Sequence, residues 1–256
     1  SSDTLLLEND PDLKYLREVN AKYGSKDFLV LTYTPKNNLL SEKTIENLTS
    51  LRNDLTNLNW VNNVITILDV PLLKNNDDPL SERIKNFKTL SSENVNKDRG
   101  FDEIINSPIY KEFVISKDGK TSGILVYIKT DKKLTKLIKT KNYYLDKKNK
   151  DQLTPLDKKE YKKFLKEYDS YKKTHNQKNH ENINEIREII EKYKDTAKIH
   201  LGGIPMIADD MMTYIKNDIM VFGAGVFIFI ICTLWFVFRS LLWVFIPLLS
   251  CFFSVL

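Results

Sequence analysis

Three histidines and two cysteines are the residues of this 256-residue chain best suited to metal or nucleophilic chemistry. Their spacing argues against both. His175 and His180 are five residues apart, which on a helix sets them off a common face. Cys232 and Cys251 lie inside long apolar runs, so neither can join a histidine in the converging set of ligands that zinc requires. Gly202-Gly203 and Gly223-Ala224-Gly225 match neither a phosphate-binding loop nor a dinucleotide fingerprint, and no nucleophile elbow is present. No catalytic residue, cofactor-binding residue, metal ligand or cofactor is expected, and the chain does not read as an enzyme.

The remaining candidates are the carboxylates Asp209, Asp210 and Asp218, which precede an apolar run. Pro205 suits the first turn of a helix, and Asp209 and Asp210 are expected in that turn, complementing its dipole. Ile207, Met211, Ile215 and Ile219 then recur every four residues. Nothing interrupts the pattern from Pro205 to Phe238, so one helix of about 50 Å is predicted. It could transmit motion or simply anchor the preceding domain. Capping and interfacial solvation account for all three aspartates.

The elements that carry these residues fall into two unlike parts. Ile219 to Phe238, IMVFGAGVFIFIICTLWFVF, contains no charge. At about 1.5 Å per residue it spans roughly 30 Å, the thickness of a bilayer's hydrocarbon core. After Arg239-Ser240 a second uncharged run, LLWVFIPLLSCFFSVL, reaches Leu256. Residues 219–238 are therefore read as a transmembrane helix and 240–256 as the truncated start of the next. The small residues at 223–225 suit close helix packing in a membrane. The second run stops without a polar flank, and the N-terminus has neither an initiator Met nor a signal peptide, so both ends read as cut from a longer chain.

The net charge of +5 averages these two parts. All but one of the 39 Lys and Arg residues precede Ile219, the exception being Arg239. Without cysteines, the first 218 residues have no disulfide option, which leaves their compartment open. Arg239 favours the cytoplasm for the short connection, which puts residues 1–218 on the other side.

Within that soluble part, Asp12 to Tyr23 reads as a helix with Leu13, Leu16, Val19 and Tyr23 on one face and Gly24 as its stop. Phe28 to Thr34 is a strand ended by Pro35, and Ser41 caps a helix bearing Ile45, Leu48, Leu51, Leu55 and Leu58. Val64 to Leu68 reads as a strand closed by Pro71. Ile84, Phe87 and Leu90 form a small stripe after Ser81. KEFVIS and TSGILVYIKT, joined through Asp118-Gly119, are expected to pair as a hairpin. Ile183, Ile186, Ile189, Ile190 and Tyr193 mark a helix, and Lys198 to Leu201 a last strand. The order implies an α+β domain of the ferredoxin-like split βαβ kind.

Residues 131–180 interrupt that order with 16 Lys against 7 Asp plus Glu. One reading is a basic surface for phospholipid headgroups or another polyanion. The other is a solvated helical hairpin with Tyr161, Phe164, Leu165, Tyr168 and Tyr171 on its packed face. No nucleic-acid module accompanies the charge, so nucleic acid is not an expected partner.

The junction reads G-x-P-x-I followed by acidic residues, Tyr214-Ile215, Asp218-Ile219, a long apolar run, Phe238-Arg239-Ser240 and Pro247-Leu248-Leu249. This resembles the end of the first extracytoplasmic loop of RND-superfamily transporters, in the MMPL-like branch. The helix ending at Gly24 before FLVLTY is similar to the opening of that loop, whereas the insert at 131–180 has no counterpart. The resemblance implies a porter domain in two parts, 1–130 and 181–218, around a Lys-rich helical insert at 131–180, followed by the transmembrane helices. It implies a multi-pass protein of the bacterial inner membrane, with residues 1–218 periplasmic, exporting hydrophobic or lipid-like molecules on the proton gradient. Its partners would be the lipid bilayer, a hydrophobic or lipid substrate, the remainder of the same chain, and a homo-oligomer or periplasmic partner. The family's proton-relay carboxylates would lie beyond Leu256. A membrane-anchored extracytoplasmic sensor or scaffold, and a SecDF-like translocation helper, are the alternatives.

Overall fold

The computed structural model describes residues 27–74 and 87–239, together with 12, 15, 18, 19, 245, 246, 249, 250 and 253. These residues divide into two units, Ser1–Asp209 and Asp210–Leu256. In the first unit, Asp12, Tyr15, Glu18 and Val19 are helical. The rest of the predicted opening helix, with Leu13, Leu16, Tyr23 and Gly24, lies outside the described residues, as do Ser81 and Ile84.

Strand β1, Phe28–Pro35, alternates as its β-branched and aromatic residues require, with Leu29, Leu31 and Tyr33 fully buried on one face. Helix α1, Glu42–Thr56, begins at Ser41, whose hydroxyl accepts from the Thr44 amide at 3.3 Å. Its buried residues Thr44, Leu48, Leu51 and Leu55 repeat at three and four, the period of one helix face. Burying each leucine contributes about 2 kcal/mol.

Strand β2 is Val61–Ile65, earlier in the chain than the run Val64 to Leu68 suggested. The reason is Thr66. Its hydroxyl accepts from the Leu68 amide at 3.1 Å while the Asp69 carboxylate accepts from the Thr66 amide at 2.9 Å. This capping box ends the strand and opens a 3-10 turn, Ile67–Asp69, which buries Ile67 and Leu68 without sheet pairing. Asp69 also pairs with Arg52 of α1 at 3.0 Å.

A short helix α2, Lys97–Asn106, buries Ile104 before strand β3, Ser122–Ile128. The expected hairpin partner of β3 is not a strand: Lys111 to Ser116 makes only isolated bridges through Lys111 and Ile115. β2 pairs with β3 only from Leu125 to Ile128, so the segment meets just the first residues of β3, through the Ile115–Ser122 bridge and the Gly123 amide, which donates to the Val114 carbonyl at 2.7 Å. The Asp118-Gly119 turn does form, with Gly119 at φ +68°.

Helix α3, Lys132–Asn149, and helix α4, Pro155–Lys192, follow as a helical hairpin. α4 runs unbroken through residue 180, from the Lys-rich stretch into the segment bearing Ile183, Ile186 and Ile189. Strand β4, Ala197–Gly202, completes a four-stranded antiparallel sheet in the order β2-β3-β1-β4. Since β3 runs antiparallel to both β1 and β2, these two point the same way with β3 between them. One core unites Leu29, Leu31, Tyr33, Val64, Ile124 and Val126 of the sheet with the buried faces of α1 and α4. The domain is thus α+β, with helices on one face of its sheet.

Helix α5, Ile204–Phe238, begins in the first unit and makes up most of the second. Its apolar residues from Ile219 to Val237 are exposed or partly exposed and none is buried. Such a helix would be unstable in water and suits lipid. The one hydroxyl in its centre, Thr233, donates back to the Phe229 carbonyl at 2.8 Å, so it presents no unmet polar group. Added Cβ atoms at Gly223 and Gly225 would meet nothing within 4 Å. The helix stops at Arg239, whose φ of 50° is left-handed. Phe245, Ile246, Leu249, Ser250 and Phe253 of the second apolar run are helical, and the rest of 240–256 lies outside the described residues.

Candidate functional site at the start of the apolar helix

The residues that chemistry would most readily use converge where β4 hands the chain to α5. Gly203 makes the turn, at φ +121°, a conformation open almost only to glycine. A Cβ there would sit 3.0 Å from the Phe28 carbonyl oxygen and 3.1 Å from Leu29 Cα, so β1 passes directly behind the turn. The Asn179 side-chain amide of α4 donates to the Pro205 carbonyl at 3.1 Å.

One turn further, Asp209 is buried, at 7% exposure, and both its oxygens face His180 of α4. The Nδ1 to Oδ2 distance is 2.9 Å and that to Oδ1 is 3.1 Å. The Asn184 side-chain nitrogen stands 3.1 Å from His180 Nε2. In the arrangement with Nδ1–H donating to the carboxylate, Nε2 is left as the acceptor of the Asn184 amide. A catalytic Asp-His pair needs that second nitrogen free for a nucleophile or water. Here Asn184 takes it, so the pair is a structural clasp between α4 and the beginning of α5.

Capping does not account for Asp209. α5 starts at Ile204, its first turn holds no acidic residue, and Asp209 and Asp210 lie in the second, where the dipole has largely faded. Burial and the imidazole partner hold Asp209 instead. Asp218 is exposed. No periodicity could have revealed the His180–Asp209 contact, because its partners are 29 residues apart and on different helices. The sequence carried no signal for it, since capping gave Asp209 a sufficient local explanation and His180 had no assigned role.

His175 takes a different partner from His180, as their spacing required. Its Nδ1 is 3.3 Å from Asp131 Oδ2, which also accepts from the Tyr171 hydroxyl at 2.8 Å. Asp131 Oδ1 caps α3, accepting from the amides of Lys133 and Leu134 at 2.9 Å each. Burial pushes the Asp131 carboxyl up, but the Leu134 amide, the Tyr171 hydroxyl, the Lys133 amide and His175 outweigh it and hold it below the usual range. His200 is exposed on β4, in register with Thr32. A shallow groove between α1 and α4 is lined by Asp54, Glu185, Glu188 and Lys192. Two of its acids are engaged, Asp54 by the Tyr193 hydroxyl at 3.0 Å and Glu185 by Trp60 Nε1 at 2.7 Å. Burial and the Asp54 hydrogen bond push Tyr193 up to about 12. Among the described residues, no group of three His, Cys, Asp or Glu side chains converges to hold a metal.

Among the described residues one helix, α5, is long and apolar enough to cross a membrane. Residues 170–256 match the MMPL family, a segment that takes in most of α4, β4, the Gly203 turn, Asp209 and all of α5. The match supports an MMPL/RND-type transporter fragment and bears out the resemblance carried by the junction residues. MMPL family members are transporters rather than enzymes. A search of curated proteins gave no match.

Proposed function

We propose that this chain is the first porter domain and adjoining membrane helices of a proton-driven RND-type exporter of hydrophobic or lipid-like molecules. The observation that carries the reading is the family match across the junction, where a folded domain continues into a lipid-compatible helix. The antiparallel order β2-β3-β1-β4, with helices joining β1 to β2 and β3 to β4, supports a ferredoxin-like split βαβ porter fold. In this reading the porter comprises residues 1–130 and 181–218, the helical insert 131–180, and the membrane helices 219–238 and 240–256. The protein sits multi-pass in a bacterial inner membrane with residues 1–218 on the periplasmic side. Its substrate reaches it from the bilayer, and its partners are the rest of its own chain and a homo-oligomer or periplasmic protein.

Efflux of a lipophilic fluorescent dye, from cells carrying or lacking the whole gene, tests the activity. The gene should accelerate efflux, and a protonophore should abolish the difference. Equal efflux with and without the gene, or a gene-dependent rate indifferent to the protonophore, would refute the proton-driven exporter. Single cysteines placed in 131–180 should react with a membrane-impermeant thiol reagent in intact spheroplasts. Labelling only after lysis would put the domain on the cytoplasmic side and end the reading.

A further inference from the structure

Beyond the sheet core α4 forms an arm with α3, and one side of the helix is packed along its whole length. Tyr161, Phe164, Tyr168 and Tyr171 mark that side in the arm, through ring contacts and the Asp131 hydrogen bond. Ile183, Ile186 and Ile189 mark it in the core. The opposite side is a stripe recurring at steps of three and four. Its first half carries Lys163, Lys166, Ser170 and Lys173, and its second half Glu181, Asn184, Glu188 and Glu191, with Gln177 between them. All are exposed except Asn184, which is partly exposed beside His180. The stripe is therefore covered neither by α1 nor by the first turns of α5.

A helix that merely faces water can set opposite charges four residues apart and pair them within itself. This stripe does the reverse. Lysines neighbour lysines in one half and glutamates neighbour glutamates in the other, so neither half neutralises itself. Among the described residues none of the three lysines pairs with a carboxylate, and Glu188 has no cationic partner. Glu191 pairs with Lys194, and Glu181 meets the Gln177 amide at 3.4 Å.

The two signs are also placed symmetrically. Lys173 and Glu181 stand four residues on either side of Gln177, Lys166 and Glu188 eleven, and Lys163 and Glu191 fourteen. The uncharged Ser170 and Asn184 stand seven residues on either side. A second α4 laid antiparallel about a two-fold axis at Gln177 thus sets every lysine of the stripe against a glutamate, each pair made twice by the symmetry. Parallel pairing would set lysine against lysine. Eight steps cover the 28 residues from Lys163 to Glu191, a mean of 3.5, which is the repeat that keeps a seam facing its partner in a pair of coiled helices.

We propose that α4 pairs antiparallel with the α4 of a second copy of this chain, through the stripe from Lys163 to Glu191 with the two-fold axis at Gln177. The inference stands on α4 alone and does not require the chain to be an exporter. Exposed ion pairs are individually weak, so the association draws on all of them together and loosens with salt.

The test is disulfide crosslinking in membranes carrying the full chain, in a Cys232→Ser and Cys251→Ser background. Gln177→Cys, on the axis, should yield a crosslinked dimer on mild oxidation at low salt, and about 1 M salt should suppress it. Ser170→Cys should not, because its two copies would lie about 21 Å apart along the helices. Lys166→Glu with Lys173→Glu should lower crosslinking through Gln177→Cys at least about tenfold, and so should Glu181→Lys with Glu188→Lys, since like charges then face each other. Mixing these two variants should restore it, because every reversed charge then meets an opposite one. All four reversals in one chain should restore it as well, and that variant covers the case in which either pair alone fails to fold. Equal crosslinking at Ser170→Cys and Gln177→Cys would mean parallel pairing or chance collision and would overturn the proposal. Absence of crosslinking at Gln177→Cys, folded pair variants that crosslink like the parent, or a folded four-reversal variant that does not crosslink would overturn it too.

Discussion

Replacing His180 by alanine isolates the clasp between α4 and α5. The substitution removes both contacts to the Asp209 carboxylate, at 2.9 and 3.1 Å, and leaves that carboxylate in a site where its side chain is 6% exposed. Hydrogen bonds to charged groups are worth about 1.5–3 kcal/mol, and orphaning one member of a fully buried ion pair costs about 3–5 kcal/mol. The upper range does not apply, because the His180 side chain is 45% exposed and its removal opens a path for water to Asp209. About 2 kcal/mol is therefore expected. For a domain of this size that corresponds to a lowering of the melting temperature by about 4–8 °C. Trp60, tied to Glu185 of α4, is a fluorescent reporter within the same unit. Asp209→Asn alone should cost less, since a neutral amide tolerates the same site better than an unpaired carboxylate. The double variant should be less damaged than the two single losses added together, with a coupling of about 1–2 kcal/mol. Additive single losses, or a His180→Ala protein that melts with the parent, would show that the two groups share space without sharing energy.

Two further outcomes follow from the same geometry. Gly203→Ala should destabilise by about 3 kcal/mol or more, from a φ of +121° that costs an L-residue about 1–3 kcal/mol and a Cβ held 3.0 Å from the Phe28 carbonyl oxygen. Gly202→Ala, whose added Cβ meets nothing nearer than 3.7 Å, is the control, and equal melting of the two variants would refute the close approach. Tyr193, raised from 10.0 to about 12 in the folded state, contributes stability that is complete below its unfolded value and is lost as pH rises through about 12. Ultraviolet difference titration should show Tyr193→Phe lacking one late-ionising phenol, and Asp54→Asn should move that phenol to lower pH. An unchanged titration curve in both variants would remove Asp54 as the cause.

What the sequence made legible were the features set by local pattern. β-branched and aromatic residues ended by a proline identified β1, three- and four-residue steps identified the buried face of α1, and the uncharged run identified the membrane-length part of α5. It misled where one signal competed with another, local or distant. Val64 to Leu68 looks like a single strand until Thr66 and Asp69 are seen to cap a turn inside it. KEFVIS has strand-forming residues and a hairpin turn beside it, but it meets only the start of β3, whose remaining length pairs with β1 and β2, remote in the chain. The clasp was illegible for the same reason. Asp209 has an adequate local explanation as a capping acid, and only the folded chain shows that its partner is His180.

The same long helix ties these features together. α4 has 38 residues, about 57 Å by its rise, and between Leu156 and Lys192 it contains neither proline nor glycine. Sharp bends in helices arise at such residues or at inserted groups, so α4 has no built-in hinge. Its C-terminal part is fixed in the sheet core through Ile183, Ile186 and Ile189, which are buried. Its middle carries Asn179, His180 and Asn184, which hold the first turns of α5. Its N-terminal part is the lysine arm, braced to α3 by Asp131, Tyr171 and the Lys147–Asp157 pair at 3.4 Å. A load applied to the arm therefore meets no flexible joint before the clasp. It must be absorbed by the core packing of α4 or passed to His180 and Asp209. The core contacts are numerous and apolar, whereas the clasp rests on a few directional hydrogen bonds that a small rotation of the helix would break.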